Sequence, residues 1–270
     1  MPDLSIIIIT WNAEQYVKNC LDSVLENTSH ISREIIVIDN GSTDATRKLL
    51  QLYESEGCIF FLPQNVNLGV AGARNIGLKK AKGKYLCLLD IDTIVNKQAI
   101  SEMMLFLEKE SSCGVVACKL QNSKGEIQNS CRKLPALRYK IYNLLEVIFG
   151  KYSFTQALKH QIEICNNSQF YKNEILTNVP FPVEYVIGAC QLIRKEALEE
   201  VGLLDENIFY GPEDADFCIR IRNKGWEIYY LPHVSIIHEY QRITNKKPFS
   251  KMSLRHIKAL FYYFWKHKRF

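Results

Sequence analysis

Five short apolar runs rich in β-branched residues punctuate the first 120 residues: Leu4 to Ile9, Glu34 to Ile38, Cys58 to Leu62, Tyr85 to Leu89 and Gly114 to Cys118. Nearly continuous apolar character marks strands buried on both faces. Between the runs the apolar period becomes helical. Val17, Cys20, Leu21, Val24 and Leu25 share one helical face, with Asn12 as the expected N-cap and Gln15 three residues later. Ile100, Met103, Met104 and Leu107 repeat the pattern. Strand, helix and strand at this spacing predict right-handed crossovers and a parallel sheet, an α/β layer sandwich that binds ligands at the carboxyl ends of its strands.

From Gln121 to Pro182 the periodicity fades into polar clusters such as Asn166-Asn167-Ser168, as expected of a variable insertion or an acceptor-facing lobe. A strand from Val186 to Ile193 and a helix from Lys195 follow. A second helix is predicted from Gly211-Pro212 to about Lys224, a strand over Trp226 to Leu231, and a last helix over roughly Ser250 to His267. With 47% apolar and 23% charged residues, a chain of 270 can bury a large core, which excludes disordered, collagenous and coiled-coil classes. A formal charge of +5 falls short of a nucleic-acid binder's, and the basic cluster is confined to the last helix. Nine cysteines without CxxC or zinc-like spacing favour free thiols in a reducing compartment. The run Ile6 to Ile9 lacks a basic leader, and no run reaches the ~18 apolar residues of a membrane span. The expectation is a cytoplasmic protein whose membrane contact, where there is any, is peripheral.

Chemistry concentrates in a few places. Asp90-Ile91-Asp92 ends an apolar strand, and residues i and i+2 of an extended chain point the same way. Two such carboxylates suit Mg²⁺ or Mn²⁺; a solvated turn is the plainer reading. Glu213-Asp214-Ala215-Asp216 opens a predicted helix, where acids complement the dipole for ~0.3–1 kcal/mol each. Three acids in four residues exceed that need, and a carboxylate fixed there is suited to act as a general base. His238 closes the strand-like run Val234 to Ile237; it is either a structural histidine or a metal ligand oriented by Glu239. Asp39, in Ile38-Asp39-Asn40-Gly41-Ser42-Thr43-Asp44, is placed to accept a hydrogen bond from a base or ribose. Asn67 to Gly77 sets Gly69, Gly72, Gly77 and Arg74 where a loop enters a helix, a place for phosphate or simply for turns. It is neither GxGxxG nor a P-loop. The final helix carries Leu254, Ile257, Phe261, Phe264 and Trp265 on one face, with Lys251, Arg255, Lys258, Lys266, Lys268 and Arg269 around it. Such a face lies on an anionic membrane or packs on the core.

In order, Thr10-Trp11-Asn12, Ile38 to Asp44, Asn67-Leu68-Gly69 with Ala73-Arg74-Asn75-Ile76-Gly77, Asp90-Ile91-Asp92 and Gly211-Pro212-Glu213-Asp214-Ala215-Asp216-Phe217-Cys218 resemble the family 2 glycosyltransferases, in particular the bacterial rhamnosyltransferase-like members. The resemblance implies a GT-A fold, with a mixed, mostly parallel sheet flanked by helices. It also implies a UDP- or dTDP-linked sugar donor, a divalent cation (Mn or Mg) and inversion at the anomeric carbon. Carried over, Thr10 and Asp39 would hold the base and ribose, with Asn12 and Asn67 in the donor site and Arg74 near the phosphates. Asp90 would approach the ribose or the surroundings of the metal, Asp92 and His238 would bind the metal, and Asp214 would be the base. Gly188 and Ala189 resemble the strand bordering sugar and acceptor, with Glu213 nearby. Residues 1–120 would then form the nucleotide half, 121–240 the acceptor half and 241–270 a basic aromatic helix. The acceptor would be a saccharide or a lipid-linked saccharide of cell-surface polysaccharide synthesis. Two rivals are weaker. A sugar nucleotidyltransferase wants a basic Gly-rich loop where Thr10-Trp11-Asn12-Ala13 stands, and a non-catalytic binding protein has no need of intact Asp90, Asp92 and Asp214.

Overall fold

The computed structural model describes residues 1–137, 170–239 and 251–268, so the cluster Asn166-Asn167-Ser168 lies outside the described residues. The first half runs β1 (Leu4–Thr10), α1 (Glu14–Asn27), β2 (Arg33–Asp39), α2 (Thr46–Ser55), β3 (Phe60–Pro63), α3 (Gly69–Lys80), β4 (Tyr85–Asp90), β5 (Thr93–Ile94), α4 (Ala99–Lys109) and β6 (Cys113–Gln121). The second half adds β7 (Cys131–Arg132), α5 (Lys172–Ile175), β8 (Phe181–Pro182), β9 (Tyr185–Val186), β10 (Cys190–Arg194), α6 (Lys195–Val201), α7 (Glu213–Asn223), β11 (Glu227–His238) and α8 (Lys251–His267).

One nine-stranded sheet has the order β3-β2-β1-β4-β10-β6-β11-β5, with β8 also on β11; β7 and β9 pair separately. Parallel pairing joins β1 to β2 and β4, as the apolar runs predict. β10 inserts antiparallel between β4 and β6, which makes the sheet mixed. Burial on both faces shows in an apolar run, whereas strand direction does not. Val17, Leu21, Leu50, Met103 and Leu107 cover one face, from α1, α2 and α4. Ala71, Ala73, Leu198, Phe217, Tyr263 and Phe264 cover the other, from α3, α6, α7 and α8. The result is a three-layer α/β/α core.

Two expectations change. The strand expected over Val186 to Ile193 breaks into β9 and β10 around Ile187-Gly188-Ala189. Asn12 is not the N-cap of α1: the cap residue is Ala13, with no side-chain cap bond. The helix start is satisfied by the neighbouring loop instead, Ala13 N donating to Thr46 Oγ1 at 2.9 Å and Glu14 N to Asp44 Oδ2 at 3.3 Å. Asn12 has φ 48° and accepts from Thr43 N at 2.8 Å, so its amide ties the β1 and β2 loops together.

Candidate active site

Register places Thr10 beside Asp39 and Ile9 beside Asp90, so the carboxyl ends of β1, β2 and β4 form one rim. A cleft of about 1140 Å³ opens there, bordered by Thr10, Asn12, Asn67, Arg74, Asp90 and Asp92 from the first half, and by Gly188, Ala189, Glu213, Asp214 and His238 from the second. A smaller cavity of about 550 Å³ lies beside Arg33 and Phe60 at the amino ends of β2 and β3, and none of the predicted site residues borders it.

Asp90, Asp92 and His238 offer ligand atoms that all lie within 4.8 Å of one another. Tertiary pairing creates this group: β5 lies antiparallel to the end of β11 with Thr93 opposite His238, and Glu239 N donates to Asp92 O at 2.9 Å. His238 Nε2 stands 3.3 Å from Asp92 Oδ1. Two carboxylates and an imidazole form a donor set that fits Mn²⁺ or Mg²⁺. Partial removal from water raises the Asp90 pKa; Arg74 opposes the rise and Asp92 adds to it. For His238, burial alone would lower the pKa, but the Asp92 hydrogen bond and the charges of Asp92 and Asp90 outweigh it. Glu239 does not orient His238, contrary to expectation: its carboxylate accepts from Ser123 N at 3.1 Å, and Gln128 makes the contact to the ring instead.

Asp214 stands in the first turn of α7, its Oδ1 accepting from Ala215 N at 2.7 Å and its Oδ2 from Gly188 N at 3.2 Å. Burial raises its pKa, against the Ala215 bond and the charges of Arg74 and Arg132. Glu213 accepts from Gly211 N at 2.6 Å, and its pKa is pushed up to about 7 by burial and then by the charge of Asp214. Asp216, the third acid of the group, takes no part in the cleft. It is fully buried and binds Arg220 at 2.9 Å, Lys266 at 2.6 Å and His267 at 2.8 Å, which anchors α8 to α7.

Arg74 connects the two halves of the site. Its guanidinium, 3% exposed, meets Asp90 Oδ1 at 2.7 Å, Gly188 O at 2.6 Å and Glu213 Oε1 at 3.4 Å. A Cβ on Gly188 would lie 2.2 Å from Arg74 Nη1, so only glycine permits this approach. Asp39 sits one layer below the cleft: fully buried, it pairs with Arg47 Nε at 2.5 Å and accepts from Ser42 N at 3.2 Å, while its neighbour Asn40 borders the cleft. Thr10 borders the same rim, and among the described residues its buried Oγ1 has no hydrogen-bond partner. Gln128, Arg132 and His256 are among the bordering residues that carried no motif in the sequence. Of these, His256 had a placement, on a predicted helix; its Nδ1 reaches Tyr210 O at 3.0 Å, which brings α8 against the loop before Asp214.

A family model for glycosyl transferase family 2 matches residues 5–202 of this chain. The chain belongs to that family. It is 24% identical over 94% of its length to the N-acetylglucosaminyl-diphospho-decaprenol L-rhamnosyltransferase of Mycobacterium tuberculosis, spanning 81% of that protein. It is equally 24% identical over 96% of its length to the rhamnosyltransferase WbbL of Escherichia coli, spanning 91% of it. The mannosyltransferase PcManGT of Pyrobaculum calidifontis, solved with GDP-Man and Mn²⁺, superposes with a TM-score of 0.63 at 19% identity, over 100% of this chain and 65% of that one. Sheet order and flanking layers are those of the GT-A fold. As a family 2 member of rhamnosyltransferase-like sequence, the protein is a glycosyltransferase.

Proposed function

We propose that the protein moves a sugar from a UDP- or dTDP-linked donor to a hydroxyl of a saccharide or lipid-linked saccharide, by one inverting displacement, in cell-surface polysaccharide synthesis. The observation that carries this reading is that Asp92 and His238 share one cleft with Asp214. Residues 1–120 supply the nucleotide side: the Thr10 hydroxyl, Asn12 and Asn67 meet the base and ribose, over a loop shaped by buried Asp39. Asp92 and His238 would hold a divalent cation, with Asp90 beside them and its Oδ1 held by Arg74. That cation, when bound, neutralises charge developing on the departing diphosphate. Asp214, fixed by two backbone N–H groups, accepts the proton of the attacking hydroxyl. Gly188, Ala189 and Glu213 border the sugar and acceptor.

Melting temperatures with UDP- and dTDP-sugars, with and without Mn²⁺, test the reading. A donor present at about 100 times its Kd adds ~2.7 kcal/mol, a shift on the order of 5–10 °C for a chain of this size. The shift is expected with one nucleotide and to vanish with EDTA; no shift with either sugar nucleotide refutes the donor assignment.

A lipid-linked acceptor draws support from α8. Ala259, Tyr263 and Phe264 turn into the core, while Leu254, Ile257, Phe261 and Trp265 face outward, Phe261 66% and Trp265 72% exposed. Phe264 thus leaves the apolar face expected of this helix and packs in the core, while the other four residues of that face are exposed, which supports the membrane alternative. Lys258 and Lys268 are exposed on the same helix and its end, and the mycobacterial relative takes its name from a decaprenol-diphosphate-linked sugar. No helix among the described residues is long and apolar enough to cross a membrane, so the contact proposed is at the surface of the inner leaflet. Co-sedimentation with phosphatidylglycerol vesicles is expected to weaken by tenfold or more in a Phe261→Ser, Trp265→Ser variant, since burying each aromatic contributes ~1.5–3 kcal/mol. Unchanged association would remove the membrane from this reading.

A further inference from the structure

The metal reading leaves one side chain unexplained. Gln128 borders the cleft next to His238, and among the described residues its side chain hydrogen-bonds to that residue alone, twice. Its Nε2 lies 2.7 Å from His238 O, and its Oε1 lies 2.8 Å from His238 Nδ1. A backbone carbonyl can only accept, so the amide end facing it must be the NH₂ group. The end facing the ring is therefore the oxygen, which also only accepts. It follows that Nδ1 carries a proton and that Nε2 is the nitrogen turned toward Asp92, 3.3 Å away, on the side of the cation site.

The backbone of Gln128 is itself held. Its N–H donates to Leu120 O at 2.8 Å, its carbonyl accepts from Ser130 N at 2.8 Å, and Ile127 bridges to Gln121. The amide thus stands on the end of β6, the strand parallel to β11 that ends in His238. Side-chain carbonyls that fix a ligating histidine's tautomer raise both its basicity and the precision of its aim.

We propose that Gln128 is a positioning residue of the cation site, locking His238 in the Nδ1–H tautomer so that Nε2 points into the volume shared with Asp92 and Asp90. The proposal rests on the metal reading above. Two measurements on the full chain test it: the tautomer of His238 from long-range ¹H–¹⁵N spectra of histidine-labelled, metal-free protein, and Mn²⁺ affinity by electron paramagnetic resonance without nucleotide. In the parent, once the ring is neutral at alkaline pH, His238 is expected as the Nδ1–H form. Gln128→Leu is expected to lose that tautomer preference and to bind Mn²⁺ about 10–100-fold more weakly. Gln128→Glu keeps an acceptor for Nδ1–H but sets a carboxylate oxygen against His238 O. A purely structural staple would suffer from Glu at least as much as from Leu, whereas a positioning residue is rescued by it, with Mn²⁺ affinity near that of the parent. Should the Leu variant fail to fold, the parent tautomer and the Glu variant still decide. An Nε2–H tautomer in the parent overturns the proposal, as does Mn²⁺ binding by Gln128→Leu equal to the parent's. A parent that binds no Mn²⁺ overturns the metal reading, and the proposal with it.

Discussion

Asp214→Asn is expected to lower turnover by about 10²–10⁴-fold, the usual contribution of a general base, while nucleotide binding with Mn²⁺ stays within a few-fold of the parent. The amide keeps the volume and one of the two bonds, its oxygen accepting from Ala215 N or from Gly188 N while its NH₂ faces the other N–H, and it takes up no proton. Burial raises the Asp214 pKa, so the parent's rate should fall at acid pH with an inflection above the ordinary aspartate value. The residual rate of the Asn variant should lack that limb. Initial rates of donor consumption across pH, beside a nucleotide melting-shift control, check both parts. Near-parental turnover would show that the proton leaves by another route, with Glu213, whose pKa lies at about 7, the next group to test.

Arg74→Met should cost about 3–5 kcal/mol of stability, because it strips the shared cation from two acids in the floor of the cleft. Domains typically unfold at 5–15 kcal/mol, so such a variant stands near the threshold. The pH dependence has a definite sign. Both carboxylates already have raised pKa values, and losing Arg74 raises them further. The deficit is then largest where both are ionised and shrinks as the pH falls toward about 7, since Glu213 takes up its proton at a higher pH in the variant than in the parent, where it does so at about 7. Arg74→Lys should recover little, since one ammonium cannot span Asp90, Glu213 and Gly188 O as the guanidinium fork does. Urea unfolding on either side of neutrality measures this. Parental stability at all pH values would mean that Asp90 and Glu213 find other compensation.

Much of the architecture could be read directly. β1, β2 and β4 lie within one residue of their apolar runs at either end, and α7 and α8 begin within a residue or so of where the Gly-Pro turn and the last apolar period placed them. Asp90 and Asp92 fall at a strand end on the cleft, and Asp214 falls in the first turn of its helix. Misreadings arose where a local pattern had a distant partner. Asn12 has the chemistry of a cap, but the loop at Thr46 and Asp44 serves α1 instead. Glu239 is next to His238 in sequence, yet Gln128, brought over by β6, reaches the ring. Asp216 looked like part of an acidic site and turns out to hold α8 through Lys266 and His267.

Sequence alone determined the main strands and helices of the first half, the burial of its strands on both faces, and that carboxylates collect at the carboxyl rim. Those properties depend on neighbours two to four residues apart, which repeat along the chain. Tertiary structure decided the antiparallel direction of β10, the meeting of His238 with Asp92, the burial of Asp39 under Arg47 and the splitting of α8 into a core face and an outer face. Each is a contact between residues far apart in the chain, set by packing against surfaces that no local period describes.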